Sequence, residues 1–269
     1  NNMAKNESFW KNLLTTSADK THEVENDSDA LETGLEQLSW FENSKRIVKQ
    51  KIKKTQETFG EEIGNSITHG VPALFFLGML PYAAIRAYIH APEGKAVIDA
   101  FGVSVFMISV FLMFLMSTWY HTSMHGTPQK HVMNKLDHIM FFFAIAGTYT
   151  PITLSLIGGG WGLGLCIAQW VLVIAGTIIK SLIFSKNKLN MILTVTIYLL
   201  MGWMVVLCMK QFIAAATAPC FWLILSGGIC YTIGVILFAS KFKFAHMVWH
   251  ILVDLGAICH FIAIVYFLR

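Results

Sequence analysis

Charge is what this 269-residue sequence has least of. Asp, Glu, Lys and Arg together supply 13% of it, where a soluble domain carries roughly 25%. Hydrophobic residues supply 55% and mean hydropathy is +0.57. Those values exclude a water-soluble globule. The roughly ten-residue segments of alternating polarity that build a transmembrane β-barrel are missing too. Also missing is any Cys-x-x-Cys spacing. Cys166, Cys208, Cys220, Cys230 and Cys259 lie in or beside apolar runs, where they read as small buried hydrophobes. They imply neither a disulfide framework nor an oxidising compartment. The net charge of +4 comes from lysines placed in loops between apolar runs, so no nucleic-acid partner is expected. No basic stretch leads into a short apolar core near the start, so no signal peptide is expected. Gly158-Gly159-Gly160 is not followed by Lys-Ser or Lys-Thr and reads as a tight turn, not a phosphate loop.

What is present is a series of apolar runs about 20 residues long, each sufficient to cross the hydrocarbon core as a helix. They predict spans near Ser66–Tyr88, Ala96–Tyr120, Leu136–Ile157, Trp161–Phe184, Leu189–Met209, Pro219–Ala239 and Phe244–Leu268. Pro72 and Pro81 predict kinks in the first span, and Pro151 a break late in the third. Residues 1–55 are polar and are expected to form a disordered or partly interfacial tail. Within them Leu35, Leu38, Trp40, Phe41, Ile47, Val48 and Ile52 recur loosely at helical spacing among Lys45, Arg46, Lys49, Lys51, Lys53 and Lys54. That pattern suits either a short interfacial helix on anionic lipid or a solvated charged tail. Residues 60–269 make up the expected transmembrane domain.

Loop charge sets the expected orientation. Alternate loops beginning with the N-terminal segment receive Lys49, Lys51, Lys53 and Lys54, then Lys130 and Lys135, then Lys180, Lys186 and Lys188, then Lys241 and Lys243. The other side receives Arg86, Lys95, Lys210 and Arg269. The positive-inside rule then puts the N-terminus in the cytosol and the C-terminus outside. The expected fold is an all-α, polytopic, seven-transmembrane helix bundle.

On that topology the intramembrane polar residues converge. His246 and His250 are i and i+4 at the cytosolic start of the last span, on one helix face. Ser117 and His121 have the same spacing at the cytosolic end of the second span, and Asp137 falls in the first turn of the third. Ionisable groups inside a bilayer face partners or cavities, and three imidazoles with an open position are a zinc arrangement for hydrolysis. Such a metal acidifies bound water and polarises a carbonyl. Asp137 is then a general base, a residue that holds the water, or a fourth ligand. Ser117 orients a ligand or stabilises an oxyanion. Calcium and magnesium, which want several oxygens, fit less well.

Other polar residues carry open alternatives. Asn65 and His69, after Glu61 and Glu62, read either as support for the site and a proton route or as helix capping and interhelical hydrogen bonding. His125 and His131 fall in a loop and are expected to be solvated, and His138 points away from Asp137. Asp254, one turn beyond His250, is expected to face inward, bonded to a ligand histidine or moving protons. Gly147-Thr148-Tyr149-Thr150-Pro151 reads as a kink whose hydroxyls satisfy freed backbone groups.

Several of these motifs together resemble the bacterial hemolysin III family. They are Glu62-Ile-Gly-Asn65-Ser-Ile-Thr68-His69-Gly70, Ser117-Thr-Trp-Tyr-His121, Leu136-Asp137-His138, Ala146-Gly147-Thr148-Tyr149-Thr150-Pro151, and His246-Met-Val-Trp-His250 followed by His260-Phe261. The resemblance covers about residues 60–269. That family is related to the progestin and adipoQ receptors and, more broadly, to the alkaline ceramidases. It implies a seven-helix bundle with a cytosol-facing zinc site, whose Ser-x-x-x-His, Asp and His-x-x-x-His elements map onto Ser117, His121, Asp137, His246 and His250. Asp254 departs from the apolar or small residue the pattern leads one to expect there. Residues 1–55 have no counterpart in the pattern. The activity this implies is zinc-dependent hydrolysis of a lipid amide or ester near the inner leaflet, in a bacterial plasma membrane. The alternatives are a non-catalytic lipid-homeostasis sensor or receptor with structural zinc, and a cytolytic pore. The pore has the least physical support, since no polar stripe runs the length of any span.

Overall fold

A computed structural model describes residues 35, 37–46, 58–182, 188–240 and 242–268. They belong to two units divided between Glu57 and Thr58. In the first, residues 37–46 are helical. Leu38, Trp40 and Phe41 are exposed there, while Lys45 pairs with Glu42 at 3.1 Å and lies over the Phe41 ring at 4.4 Å. The remainder of the expected N-terminal tail lies outside the described residues.

In the second unit the regular structure of the described residues is helical, and seven helices are long and apolar enough to cross a membrane. The first span is α1 (Phe59–Ile89), the second α2 (Ala96–Thr122), and the third α3 (Pro128–Pro151) extended by a π-helical turn over Ile152–Ile157. The fourth is α4 (Gly159–Leu182). The fifth is interrupted: α5 (Lys188–Gly202), a 3-10 turn (Met204–Cys208) and α6 (Met209–Ala215). The sixth is α7 (Ala218–Ala239) and the seventh α8 (Ala245–Tyr266). The protein is thus an all-α, multi-pass membrane protein. Successive helices pack side by side, α1 on α2, α2 on α3, and α7 on α8, and α8 returns to α1 and α2. Leu74, Val97, Ile174 and Ile236 point outward, the surface a bilayer covers.

Two boundaries differ from the hydropathy reading. Thr58 caps α1 in a reciprocal capping box with Glu61, so the helix starts at Phe59 and takes in Glu61 and Glu62. Hydropathy misses this turn because two carboxylates outweigh it, whereas acidic residues are favoured at a helix N-terminus. Thr127 caps α3 and Pro128 occupies its first turn. The third span therefore begins well before Leu136, and Asp137 lies in its third turn, not its first. Pro72 and Pro81 both lie within the continuous α1. After Pro151 the chain relaxes into the π turn and stops at Gly158 and Gly159, both left-handed, with φ of 63° and 59°.

The break in the fifth span is the main irregularity. An interrupted helix frees backbone groups that hydrocarbon cannot satisfy. Here Tyr149 on α3 donates its hydroxyl to the Gly202 carbonyl at 2.6 Å and accepts from Val205 N–H at 2.9 Å. Gln169 on α4 donates to the Met201 carbonyl at 2.8 Å. Trp203 Nε1 donates to Thr232 on α7 at 3.1 Å. Within the Gly147–Pro151 stretch the Thr148 and Thr150 hydroxyls donate to the Ala144 and Ala146 carbonyls of their own helix, while Tyr149 serves the neighbouring span. The Tyr149 hydroxyl serves the buried Val205 amide and the Gly202 carbonyl of the interrupted span, and its removal strands the buried amide at about 1–3 kcal/mol. Tyr149→Phe should therefore lower the thermal unfolding midpoint in detergent, read by intrinsic fluorescence, with helix content below the transition unchanged.

Candidate metal centre

The end of the bundle where α1, α3 and α8 begin and α2 finishes holds the densest polar cluster. The capping box that starts α1 also positions α8. Glu61 bonds Thr58 and accepts the Phe244 N–H at 3.1 Å. Phe244, left-handed at φ 64°, is the residue from which α8 starts. A non-glycine residue seldom adopts that conformation, and here the Glu61 carboxylate holds the amide. The chain enters α8 so that His246 and His250 face inward within its first two turns.

There they meet His121 from α2. The ligand atoms of His121, His246 and His250 all lie within 4.8 Å of one another. Ring centroids are 4.8 Å apart for His121 and His246, 5.1 Å for His121 and His250, and 4.6 Å for His246 and His250. His121 and His250 are 3% and 1% exposed.

The imidazoles are oriented from behind. His121 Nδ1 is 2.7 Å from Glu62 Oε2. His250 Nδ1 is 3.2 Å from the Asn65 carbonyl and 3.1 Å from Thr68 Oγ1. Carboxylate and carbonyl oxygens accept, so in both rings Nδ1 carries the hydrogen and Nε2 is the nitrogen able to ligate. Metal-binding histidines are characteristically held this way by a carboxylate or backbone carbonyl behind the ring. The donor set therefore fits a divalent transition metal.

Glu62 is itself anchored. Its Oε1 accepts from Lys130 Nζ at 2.9 Å and lies 3.0 Å from His125 Nε2. The same ammonium donates to the Tyr120 and Ser123 carbonyls at 3.2 Å each. It thus caps the end of α2 beside His121, where a cation suits the helix dipole. His125, expected to be solvated, is partly exposed and held by Glu62.

Ser117 and His69 form a second tier. Ser117 Oγ is 2.7 Å from His69 Nδ1, and the His69 ring stacks on His250 with centroids 3.5 Å apart. Phe114 meets His69 edge-on at 5.0 Å, and Phe76 packs on Phe114 at 5.6 Å, giving the cluster an aromatic floor. Asp137 is buried on α3 but lies outside the group of ligand atoms gathered within 4.8 Å. Asp254 faces His69 Nε2 at 4.0 Å. His260 bonds the Ile224 carbonyl on α7 at 3.2 Å and serves helix packing.

Sequence reasoning placed the histidines together but gave Glu62, Thr68 and Lys130 no role. Glu62, Asn65 and His69 recur at i, i+3 and i+7 on one face of α1, a signal that was available. Lys130 carried none, because in sequence it is one more loop lysine.

A multi-pass membrane protein with three histidines, two of them buried, converging at one end of a seven-helix bundle is the class these features define. The chain belongs to the family described as haemolysin-III related, whose pattern it matches over residues 57–261. It is similar to Hemolysin-3 of Bacillus cereus, 34% identical over 219 residues that cover 81% of this chain and 96% of that protein. The Hemolysin-3 homolog of Bacillus subtilis is 33% identical over 211 residues, covering 78% of this chain and 95% of the relative. Monocyte to macrophage differentiation factor of Homo sapiens is 27% identical over 175 residues, 60% of this chain and 67% of that one. No solved structure matches significantly.

The buried Glu62 carboxylate is expected to set metal affinity through His121. Glu62→Gln should weaken divalent-metal binding by about 10–100-fold, measured by competition with a chromophoric chelator. Unchanged affinity would show that this contact does not hold His121 for binding.

Proposed function

We propose that this protein is a zinc-dependent hydrolase of lipid amides or esters that works at the inner leaflet of a bacterial plasma membrane. The observation that carries the reading is the trihistidine group, with His121 and His250 anchored through Nδ1 by Glu62 and the Asn65 carbonyl. Its set of three imidazole nitrogens suits zinc. Bound there, zinc would supply Lewis-acid polarisation of a carbonyl and an acidified water.

The chain's own residues divide the remaining work. His121, His246 and His250 hold the metal. Asp137 acts as general base, taking a proton from the attacking water and delivering it to the departing amine or alcohol. Ser117 contributes a polar oxygen beside His121. The leaflet assignment is supported by Lys130, Lys135 and Lys243 near this end of the bundle, where the positive-inside rule puts the cytosol. The relatives from two Bacillus species support a bacterial setting.

One observation favours a second reading, a lipid sensor in which zinc is structural. An open, largely apolar pocket of about 430 Å³ lies between Gly160–Ala168 on α4 and Met204–Cys208 at the broken fifth span, lined by none of the histidines. A lipid tail seated there would act on the bundle without chemistry at the metal. The haemolysis in the relatives' name would require a conducting path, and ion conductance in liposomes holding only this protein would support it.

Purified protein is expected to contain about one zinc per chain, measured by plasma emission spectrometry, and the double variant His246→Ala/His250→Ala should lose it. Full retention of zinc in that variant would remove the site. Asp137→Asn should keep zinc while lipid turnover falls by about 100-fold or more; loss of zinc would instead make Asp137 a ligand. If zinc-loaded native protein turns over no member of a broad panel of ceramides, acylamides and phospholipids, the sensor reading stands in place of the hydrolase.

A further inference from the structure

We propose that Asp254 is a positioning residue that sets the direction of the Ser117 hydroxyl through His69. An ionisable side chain deep in an apolar helix is costly, and is kept where it faces a partner. Asp254 lies midway along α8, flanked by Val253 and Leu255. Its Oδ1 is buried without a hydrogen-bond partner, and so is His69 Nε2. The two atoms face each other across 4.0 Å. A small rotation of the carboxyl, or one bridging water, turns that separation into a hydrogen bond.

The His69 ring cannot easily reorient. It is fully buried, lies flat on His250 with centroids 3.5 Å and planes 9° apart, and takes the edge of Phe114 on another side. With the ring fixed, Nδ1 stays 2.7 Å from Ser117 Oγ. What remains open is which nitrogen carries the hydrogen. A neutral imidazole has one donor and one acceptor. In its ionised form the Asp254 carboxyl opposite Nε2 can only accept, and so favours the hydrogen there. Nδ1 then accepts from the Ser117 hydroxyl, whose proton is committed to His69 and whose lone pairs are presented to the surroundings. With an apolar residue at 254 the other tautomer becomes available. Nδ1–H would then donate to Ser117, and the serine proton would be released to point elsewhere. A carboxylate that fixes a histidine tautomer, and through it a serine, is an established device of hydrolytic sites. Here it acts on a serine one helical turn from His121. The array exists independently of any reaction; its catalytic consequence rests on the hydrolase reading.

The test is nitrogen NMR of the full-length protein, labelled with ¹⁵N-histidine in lipid nanodiscs. The His69 signals are identified as those lost in His69→Gln. At a pH alkaline enough to ionise Asp254, native protein should show His69 protonated at Nε2. Asp254→Leu should move it to Nδ1 protonation or to a mixture. Asp254→Ala carries the same expectation as Leu if the larger residue prevents folding. A buried carboxyl with a merely structural role would leave these signals in place. An Nδ1-protonated His69 in the native protein, or the same tautomer in native and Asp254→Leu or Asp254→Ala, overturns the proposal. Where lipid turnover is measurable, the apolar variant should lower kcat by about 10–100-fold at unchanged zinc content, and an unchanged kcat would overturn the catalytic consequence. Absence of turnover in native protein would count against the hydrolase and leave the tautomer measurement intact.

Discussion

The candidate centre depends on one buried carboxylate at the membrane edge. Glu62 gives one oxygen to His121 Nδ1 and the other to Lys130 and His125. A carboxylate taken out of water is tolerated only when its lone pairs are occupied, and here three side chains occupy them. Each partner is drawn into place in return. His121 is left with Nε2 available, Lys130 closes the carbonyl end of α2, and the loop between α2 and α3 is pinned to the start of α1. A single charge requirement thus organises three helix ends around the histidines.

The same rule operates at the broken fifth span with neutral groups. Tyr149, Gln169 and Trp203 spend their polar atoms on the backbone groups and the Thr232 hydroxyl around the 3-10 turn. The bundle therefore carries two polar centres of different character. One is rich in histidine and carboxylate and offers ligand atoms to a metal. The other spends its donors on the interrupted span and its neighbour, and has an open apolar pocket beside it.

Between the two regions α7 and α8 approach closely. An added Cβ at Gly234 would come within 2.6 Å of the Trp249 ring, and one at Gly256 within 2.8 Å of Tyr231. Trp249 sits between the two histidines of α8 in sequence, so this packing helps fix the helix rotation that aims them inward. Membership of the haemolysin-III related family over residues 57–261 covers every residue named at the site, while the N-terminal helix at 37–46 lies outside the match.

The solvent, the helix count and the convergence of His121, His246 and His250 were determined by sequence alone. Hydrophobic run length, loop lysines and i, i+4 spacing act along one chain and one helix. They need no knowledge of neighbours. Tertiary structure decided what stands behind each imidazole. Glu62, Thr68 and Lys130 owe their roles to contacts between helices far apart in sequence; the spacing of Glu62, Asn65 and His69 marks a polar face of α1 but not what that face meets. It also decided where the spans begin and break. Capping by Thr58 and Thr127 extends α1 and α3 past their apolar cores, and the fifth span can be interrupted only because Tyr149 and Gln169 arrive from α3 and α4. Asp254 shows the distinction in one residue. Sequence marked it as a charge in the wrong solvent, and only the fold supplied the histidine that it faces.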